Sequence, residues 1–199
     1  QGDTLVSPLQ LATMYAAIAN GGTLYKPEVA RAIVTPVGKV VKEFKPVING
    51  KIPATSADIA FLHRALRAVA TRGTAAGLFA NFPVSVSGKT GTGQVLGRNA
   101  NGTAKDDTSW FASFAPSEKP QYAVVMMVSQ GGFGATTSAV GVREIYEALF
   151  GVTGNKVDLT KAIFPNGVPT KIPAVNMKLA ASAKLDTTGI KINGTKVVK

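Results

Sequence analysis

The sequence predicts an α+β fold in which helices pack on a small antiparallel sheet. Three β-prone segments follow one another with no helical segment between them, and their connections are rich in Gly, Asn and Pro, which favours an antiparallel meander. Helical patterns lie on both sides of these segments along the chain. With 45% apolar residues in a chain of 199, there is enough hydrophobic material for a real core.

Three helices are predicted from apolar residues that recur at helical spacing, at about 7–19, 56–71 and 139–150. The first has the clearest start, because Ser7 at the cap, Pro8 at the first helical position and Gln10 three residues after the cap form a capping box. His63 lies beside the apolar stripe of the second helix, and we interpret it as a packed helix residue rather than a catalyst. The third helix ends at Gly151 and is expected to pack on the sheet.

Three main strands are predicted, at about 84–92, 108–114 and 121–129. The last is nearly continuously apolar, which is typical of a central strand that is covered on both faces. Trp110 lies near the start of the second strand, and we interpret it as a packing residue in preference to a ligand contact. A smaller hairpin is predicted within 24–48, with Ile33-Val34 facing Val40-Val41.

The last quarter of the chain has a different composition. Residues 152–199 hold isolated Pro, Gly, Asn and Lys, with eight lysines against Asp158 and Asp186. This composition predicts a loosely ordered basic C-terminal extension rather than an independent fold, and it leaves the helices and strands to residues 1–151.

The charge of the chain suits an anionic partner. Twenty-two Lys and Arg against 11 Asp and Glu give a net charge of +11, which suits nucleic acid, anionic lipid, an acidic polymer or an anionic small substrate. The basic residues are scattered and form no aromatic-basic platform, so nucleic-acid binding is a weak second interpretation and is not predicted.

Composition also excludes several kinds of site and anchor. The chain has no cysteine and a single histidine, which excludes a disulfide framework, a thiolate zinc site and a His-rich cluster, so no metal or cofactor is predicted. The longest apolar run, Tyr122 to Val128, is far short of the roughly 20 residues of a membrane span. Any membrane anchor or export signal is therefore expected outside this chain.

The stretch Val86 to Gln94, VSGKTGTGQ, contains a Gly-Lys-Thr triplet that resembles the end of a phosphate-binding loop. Such a loop needs a glycine five residues before Gly88, where this chain has Pro83, and no helix is predicted after the triplet. Read as an edge strand instead, the segment places Lys89 and Gly91 on one side and Thr90 and Thr92 on the other. An ammonium, two hydroxyls and a bare glycine suit a peptide that ends in a carboxylate, whereas a lone Lys-Thr-Gly would more simply be a solvated turn.

Lys-Thr-Gly is also one of three motifs of the penicillin-binding proteins and class A β-lactamases. Further segments match class B penicillin-binding proteins in order and spacing: Gly2 to Ala12 with Tyr15 to Gly22, Gly73-Thr74-Ala75, Trp110 to Pro116, and Tyr122 to Val125. Residues 2–151 therefore resemble the transpeptidase domain of that family, most closely its elongation-type members, the penicillin-binding protein 2 group, which act in cell shape. The resemblance implies a penicillin-binding/serine β-lactamase-like fold and a peptidoglycan D,D-transpeptidase that cross-links stem peptides through an acyl-serine intermediate and is acylated by β-lactams.

Two motifs of the family, Ser-x-x-Lys and Ser-x-Asn, are absent, since no serine of this chain has Lys at +3 or Asn at +2. The chain is therefore identified as the C-terminal part of a transpeptidase domain, inactive by itself, whose nucleophile lies in an N-terminal portion of the same transpeptidase. That portion, the stem peptide, β-lactams and other cell-wall synthesis proteins are the implied partners. The implied location is the extracytoplasmic face of a bacterial cytoplasmic membrane, held by an anchor outside this chain.

The resemblance also implies roles for the site residues. Lys89 would supply positive potential and orient proton transfer, the Thr90 and Thr92 hydroxyls would hold the ligand carboxylate, and the backbone amide of Thr92 would be an oxyanion donor. Gly91 and Gly93 would keep the strand edge clear, and the loop 130–134 would lie near the end of the cleft. A β-lactam sensor domain that shares Lys-Thr-Gly-Thr and a non-catalytic basic binding module remain as alternatives.

Overall fold

In the computed structural model, residues 4–167, 169 and 171–172 are described, together with the backbone of 191–192 and 195–196. The chain divides into two compact units. One holds residues 1–29 and 46–170, and the other holds 30–45 and 171–199. The candidate site lies in the first unit.

The described elements alternate short strands with four α-helices and one 3₁₀ helix. In chain order they are α1 (Pro8–Ala19), β1 (Thr23–Tyr25), β2 (Ala32–Val34), β3 (Val40–Glu43), β4 (Ile48–Lys51), α2 (Ser56–Arg72), α3 (Ala76–Phe79), β5 (Ser87–Gly93), β6 (Thr108–Ala115), β7 (Tyr122–Val128), α4 (Ser138–Phe150), β8 (Val152–Thr153), β9 (Lys156–Val157), the 3₁₀ helix (Leu159–Lys161), β10 (Lys191–Ile192) and β11 (Thr195–Lys196).

Capping boxes start both long N-terminal helices. Ser7 Oγ accepts from the Gln10 amide at 3.2 Å while Gln10 Oε1 accepts from the Ser7 amide at 2.8 Å, as the sequence predicts. Thr55 and Asp58 form the same reciprocal pair at the start of α2. The Thr55 hydrogen bonds also hold the pKa of Asp58 below its ordinary range.

The central sheet is the predicted antiparallel meander, with strand order β5-β6-β7. The first strand was expected at 84–92 but begins at Ser87, because its partner β6 ends at Ala115 and the following Pro116 has no amide hydrogen for the ladder. The alternating Val84 and Val86 are buried in the core without being strand residues.

The expectation that the third strand is central is wrong. β6 is the inner strand and the most deeply buried one, whereas β7 lies at the edge of the three-stranded sheet. The apolar run of β7 has another cause, since helices cover both of its faces: Val125 packs with the α1 and α2 side and Val124 with the α4 side.

Two hydrophobic clusters sandwich the sheet. On one face, α1 and α2 pack on Ala112 and Phe114 of β6. On the other face, α4 packs on Phe111 through Val142 and Tyr146, as predicted for the third helix. Tyr146 is fully buried and its hydroxyl lies 2.9 Å from Ser113 Oγ, so the core contains a satisfied polar pair.

The first compact unit continues past the boundary that composition placed after Gly151. The left-handed conformation of Gly151, with φ of 65°, turns the chain into the β8–β9 hairpin. Ala162 is buried, and the Ile163 amide donates to the Ala148 carbonyl of α4 at 3.1 Å. Beyond residue 172 the predicted extension lies outside the described residues, apart from the paired backbone of β10 and β11.

The predicted hairpin within 24–48 is present as β2–β3, with Val34 opposite Val40 and Ile33 opposite Lys42 rather than Val41. A bulge between Ile33 and Val34 causes this shift in register. The β1–β4 pair and the short helix α3 had no clear signal in the sequence. In the described part of the chain, each helix is too short or too polar to cross a membrane.

Candidate active site

β5 presents the Lys-Thr-Gly-Thr segment on the edge of the sheet. Its register places Lys89 opposite Ala112 and Thr90 opposite Phe111, so the two side chains leave opposite faces of the sheet. Lys89 and Gly91 therefore share the face of α1 and α2, and Thr90 and Thr92 share the face of α4. This is the alternation that the sequence predicts.

The Lys89 ammonium folds back over the next residue. Its Nζ donates to the Thr90 carbonyl at 2.8 Å and lies 3.3 Å from Thr90 Oγ1. Thr90 Oγ1 is also 2.8 Å from Thr74 Oγ1, which belongs to the turn between α2 and α3. An exposed cation and two linked hydroxyls thus meet at one point of the strand, and such a group can bind a carboxylate.

Thr74 is a site residue whose role sequence reasoning missed, although Gly73-Thr74-Ala75 is part of the family resemblance. Its position depends on Gly73, because a Cβ there would lie 2.8 Å from the Val69 Cα of the helix. The Ala75 amide then donates to the Val69 carbonyl at 3.1 Å and closes the end of α2. The helix end therefore sets where Thr74 meets β5.

The Thr92 hydroxyl has a different contact from the Lys89 and Thr90 side chains. Thr92 Oγ1 is 3.5 Å from the amide of Gly134, in the loop 130–134 that was expected near the end of the cleft. A Cβ on Gly134 would lie 2.3 Å from the Trp110 carbonyl oxygen and 2.5 Å from that of Gly91. The loop thus packs directly against β5 and β6, and only a glycine allows this approach.

Trp110 packs across the glycines of β5, in agreement with its interpretation as a packing residue. A Cβ on Gly91 would lie 3.0 Å from Trp110 Cβ, and one on Gly93 would lie 3.7 Å from its indole nitrogen. The glycines therefore leave room for Trp110, and their role in keeping the strand edge clear for a ligand backbone stays a prediction.

His63 is a packed helix residue, as predicted. Its Nε2 lies 2.9 Å from the Ile18 carbonyl oxygen, and its ring centroid is 4.8 Å from that of Phe114. It therefore links α2 to α1 and to the sheet.

Polar contacts also hold the segment before β5. Arg67 donates to the Val86 carbonyl at 3.1 Å, and Ser87 Oγ donates to the buried Ser117 Oγ at 2.9 Å. Ser85 Oγ donates to the Glu118 carboxylate. This hydrogen bond, with a smaller contribution from the Arg67 charge, lowers the pKa of Glu118.

Four serines of the first unit are fully buried and use their hydroxyls in internal hydrogen bonds. Ser109 pairs with Ser138 at 2.8 Å, Ser113 with Tyr146, and Ser87 with Ser117. Such hydroxyls are structural, so they do not suit a nucleophile that a substrate must reach. Among the described residues, no three His, Asp or Glu side chains group together as metal ligands would.

Comparison with known proteins assigns this geometry to a family. Residues 1–147 match the model of the penicillin-binding protein transpeptidase domain. Penicillin-binding protein 2A of Bacillus subtilis is 32% identical over 131 residues, which are 61% of this chain and 18% of that protein. Peptidoglycan D,D-transpeptidase MrdA of Haemophilus influenzae is 28% identical over 161 residues, which are 74% of this chain and 24% of that protein.

The fold agrees with solved transpeptidase structures. Penicillin-binding protein 2 of Pseudomonas aeruginosa, solved in complex with WCK 5153, superposes with a TM-score of 0.62 at 29% identity, covering 79% of this chain and 32% of that one. The chain thus spans between about a fifth and a third of the length of these relatives.

Proposed function

The chain belongs to the penicillin-binding protein transpeptidase family, and we propose that it is the C-terminal portion of a peptidoglycan D,D-transpeptidase domain that supplies one wall of the active site. The observation that carries the proposal is the cluster of Lys89, Thr90 and Thr74 on the edge of β5. A cation with two hydroxyls can hold a terminal carboxylate, and an open strand edge can hold the backbone of an extended peptide.

The reaction that fits this wall is acyl transfer through a serine. A serine attacks the penultimate D-Ala carbonyl of a stem peptide, the terminal D-Ala leaves, and an acceptor amine resolves the acyl-enzyme. β-Lactams acylate the same serine because they imitate the D-Ala-D-Ala end. In this scheme Lys89 and Thr90 bind the carboxylate, Thr92 contributes its hydroxyl and its backbone amide, and Gly91 allows close approach of the ligand.

The expected contributions are large enough to measure. A lysine about 4 Å from a carboxylate contributes up to ~4 kcal/mol at an effective dielectric near 20, and less while solvent screens it. An oxyanion-hole donor such as the Thr92 amide contributes about 10²- to 10³-fold in rate. Lys89 and Thr92 should therefore affect acylation although neither is the nucleophile.

The nucleophile belongs to an N-terminal portion of the same transpeptidase in this proposal. Two observations support that assignment: no serine of the chain stands in a Ser-x-x-Lys motif, and the matched relatives extend well beyond the matched region. The two portions form the working enzyme at the extracytoplasmic face of a bacterial membrane, where other cell-wall synthesis proteins are candidate partners.

Covalent labelling by a fluorescent penicillin tests the proposal. The chain combined with the nucleophile-bearing portion should keep the label after denaturing electrophoresis, whereas the chain alone should not. A label on the isolated chain would contradict the missing nucleophile, and a combined protein that stays unlabelled would contradict the transpeptidase assignment. Acylation without any cross-linking of peptides would favour a β-lactam sensor instead.

A further inference from the structure

A buried serine lies directly across the sheet from Thr92. Ser109 of β6 is the register partner of Thr92 of β5, so both side chains leave the sheet on the face that α4 covers. The two residues differ in exposure, because Thr92 is half-buried whereas Ser109 is fully buried. Ser109 therefore lies beside the proposed carboxylate-binding strand but too deep to contact a ligand itself.

A single peptide group connects these two side chains. The Ser109 hydroxyl donates to the Phe133 carbonyl oxygen at 3.2 Å. The N–H of the same peptide group belongs to Gly134, and it donates to Thr92 Oγ1 over a long distance of 3.5 Å. The peptide group therefore contacts Ser109 at its carbonyl end and Thr92 at its amide end, which couples the two side chains.

The remaining contacts of Ser109 leave its proton for the loop. Ser138, the first residue of α4, donates its amide hydrogen to Ser109 Oγ at 3.1 Å, and its hydroxyl lies 2.8 Å from the same oxygen. Each hydroxyl has one proton, so both contacts of Ser109 are satisfied when Ser138 Oγ donates to Ser109 and Ser109 donates to the Phe133 carbonyl. This arrangement uses the full hydrogen-bonding capacity of a buried hydroxyl.

Ser109 fixes the peptide group to the sheet. The Phe133 carbonyl oxygen also accepts from the amides of Thr136 and Thr137, both at 3.2 Å, and from the Thr136 hydroxyl at 3.1 Å. Those donors follow Phe133 directly in the chain, so they shape the turn but do not set its place on the sheet. Ser109 belongs to the inner strand, so its hydrogen bond sets where the peptide group lies relative to Thr92.

The contact with Gly134 determines what the Thr92 hydroxyl can do. A threonine hydroxyl has one proton to donate and two lone pairs that accept. The Gly134 N–H occupies one lone pair and cannot itself accept, so the Thr92 proton is directed elsewhere. In the proposed function the ligand carboxylate lies there, and a carboxylate is a strong acceptor.

We propose that Ser109 is a positioning residue: through the Phe133–Gly134 peptide group it orients the Thr92 hydroxyl to donate to the ligand carboxylate. The proposal rests on the proposed transpeptidase function and adds to it a residue that touches neither the ligand nor the reacting atoms. It differs from a purely structural role, because the effect of Ser109 depends on a ligand that carries a carboxylate.

Ser109→Ala and the matched control Ser113→Ala test the proposal in the complete transpeptidase that contains this chain. Both serines are fully buried on the same face of β6, and each has a hydroxyl partner, which is Ser138 for Ser109 and Tyr146 for Ser113. Both variants should therefore lose similar stability in urea. Only Ser109→Ala should slow acylation by a carboxylate-bearing β-lactam, by roughly fivefold, as expected for one hydrogen bond of ordinary strength.

Three further comparisons assign the effect to Thr92. With a β-lactam whose carboxylate is esterified, the difference between Ser109→Ala and the parent should disappear. In a Thr92→Val background, Ser109→Ala should have no further effect on acylation, because the hydroxyl that it orients is already absent. Ser109→Cys keeps a weak donor and should have an intermediate acylation rate, and it takes the place of Ser109→Ala if that variant does not fold.

An acylation rate of Ser109→Ala equal to that of the parent, or an equal loss in Ser113→Ala, would overturn the proposal. A loss that persists with the ester or in the Thr92→Val background would also overturn it, because Ser109 would then act on the fold alone. A parent protein that is not acylated would reject the transpeptidase assignment and this proposal with it. Normal acylation of the parent supports that assignment whichever way the Ser109 variants behave.

Discussion

The hydroxyl of Thr74 lies 2.8 Å from the hydroxyl of Thr90, although the two residues belong to different elements. This bond joins the end of α2 to the strand that carries Lys89. Since Lys89 Nζ lies 3.3 Å from the same Thr90 oxygen, the three side chains form a continuous chain of polar contacts. The orientation of the Thr90 hydroxyl is thus set by a helix terminus as well as by its own strand.

Thr74→Val should slow acylation by carboxylate-bearing β-lactams in the complete transpeptidase. Loss of one hydrogen bond of ordinary strength, about 1 kcal/mol, corresponds to roughly a fivefold lower second-order rate constant. The measurement is stopped-flow acylation with a chromogenic cephalosporin. Thr74→Ser keeps the hydroxyl and should keep the parent rate.

A β-lactam whose carboxylate is esterified gives the decisive control. With this substrate the Thr90 hydroxyl has no carboxylate to hold, so the difference between Thr74→Val and the parent should disappear. An equal loss with the free acid and the ester would mean that Thr74 only supports the fold.

Gly134→Ala should destabilise the protein and displace the loop 130–134 from β5. The new Cβ would lie 2.3 Å from the backbone oxygen of Trp110, and neither backbone can move easily. We expect a loss of about 1–3 kcal/mol in the free energy of unfolding, measured by urea denaturation, and slower acylation because the loop no longer supports Thr92.

Gly77→Ala is the matched control for this change. A Cβ at Gly77, within α3, meets nothing within 4 Å, so the substitution should be neutral or stabilise by up to about 1 kcal/mol. If Gly134→Ala and Gly77→Ala both unfold at the same urea concentration as the parent, the close packing of the loop on β5 is not formed in solution.

The sequence predicts the elements that obey a simple period or cap and misses those set by tertiary packing. The Ser7 box and the alternation of Lys89 and Thr90 are local, so they can be read from spacing. The prediction of β7 as a central strand fails because burial by helices on both faces produces the same apolar run as burial inside a sheet. The start of β5 depends on Pro116, which directly follows the partner strand β6, so the residues of β5 themselves do not reveal it.

Tyr146→Phe should reduce stability at neutral pH by about 1 kcal/mol, since it removes a buried hydrogen bond to Ser113. Burial raises the pKa of Tyr146 well above its ordinary value of 10.0, and the Ser113 bond offsets part of this effect. Because its pKa is higher in the folded state, the Tyr146 phenol contributes fully to the free energy of unfolding below about pH 10. This contribution is lost as the pH rises, because the phenol ionises at a lower pH in the unfolded chain.

The stability difference between the parent and Tyr146→Phe should therefore shrink above pH 10 by up to about 1.4 kcal/mol per pH unit. Thermal unfolding between pH 7 and pH 11 measures it. Tyr25→Phe, at a residue that is 42% exposed, is the control substitution. A constant difference across this range would show that Tyr146 is accessible in solution.

Ser85→Ala should raise the pKa of Glu118 toward its ordinary range, because it removes the hydrogen bond that lowers this pKa most. A carboxyl whose pKa is lower in the folded state stabilises the protein at pH values above its unfolded-state pKa, and this contribution is lost as the pH falls. The variant should therefore lose less stability than the parent on acidification. NMR titration of the Glu118 carboxyl carbon tests the shift, and Ser129→Ala, in the exposed turn after β7, is the control. If the pKa of Glu118 is the same in Ser85→Ala as in the parent, the hydrogen bond from Ser85 is not formed in solution.

The candidate site was predictable as a motif but not as an assembly. Lys89 and Thr90 follow from the spacing of β5, whereas Thr74 joins them only because α2 ends beside that strand. The contact between Thr92 Oγ1 and the Gly134 amide depends on the loop that follows β7, which is at the opposite edge of the three-stranded sheet from β5. Contacts between residues distant in the chain leave no periodic signal, although the conspicuous glycines 73 and 134 indicate where a close approach is possible.

Lys89→Ala should slow β-lactam acylation of the complete transpeptidase by orders of magnitude and leave its folding almost intact. The Lys89 side chain is exposed and, among the described residues, hydrogen-bonds only to Thr90, so its removal creates no buried cavity. In the proposed mechanism acylation depends on Lys89 far more, because its ammonium would provide the positive charge near the ligand carboxylate and the reacting serine. The rate of fluorescent penicillin labelling and the urea midpoint measure the two effects separately.

Lys89→Arg separates charge from geometry. Arginine keeps the positive charge but its planar group cannot take the place of Nζ between the Thr90 carbonyl and hydroxyl, so acylation should recover only in part. Full recovery would assign Lys89 a purely electrostatic role, and no recovery would assign it a proton-transfer role that requires the amine. An acylation rate of Lys89→Ala equal to that of the parent would remove Lys89 from the active site altogether.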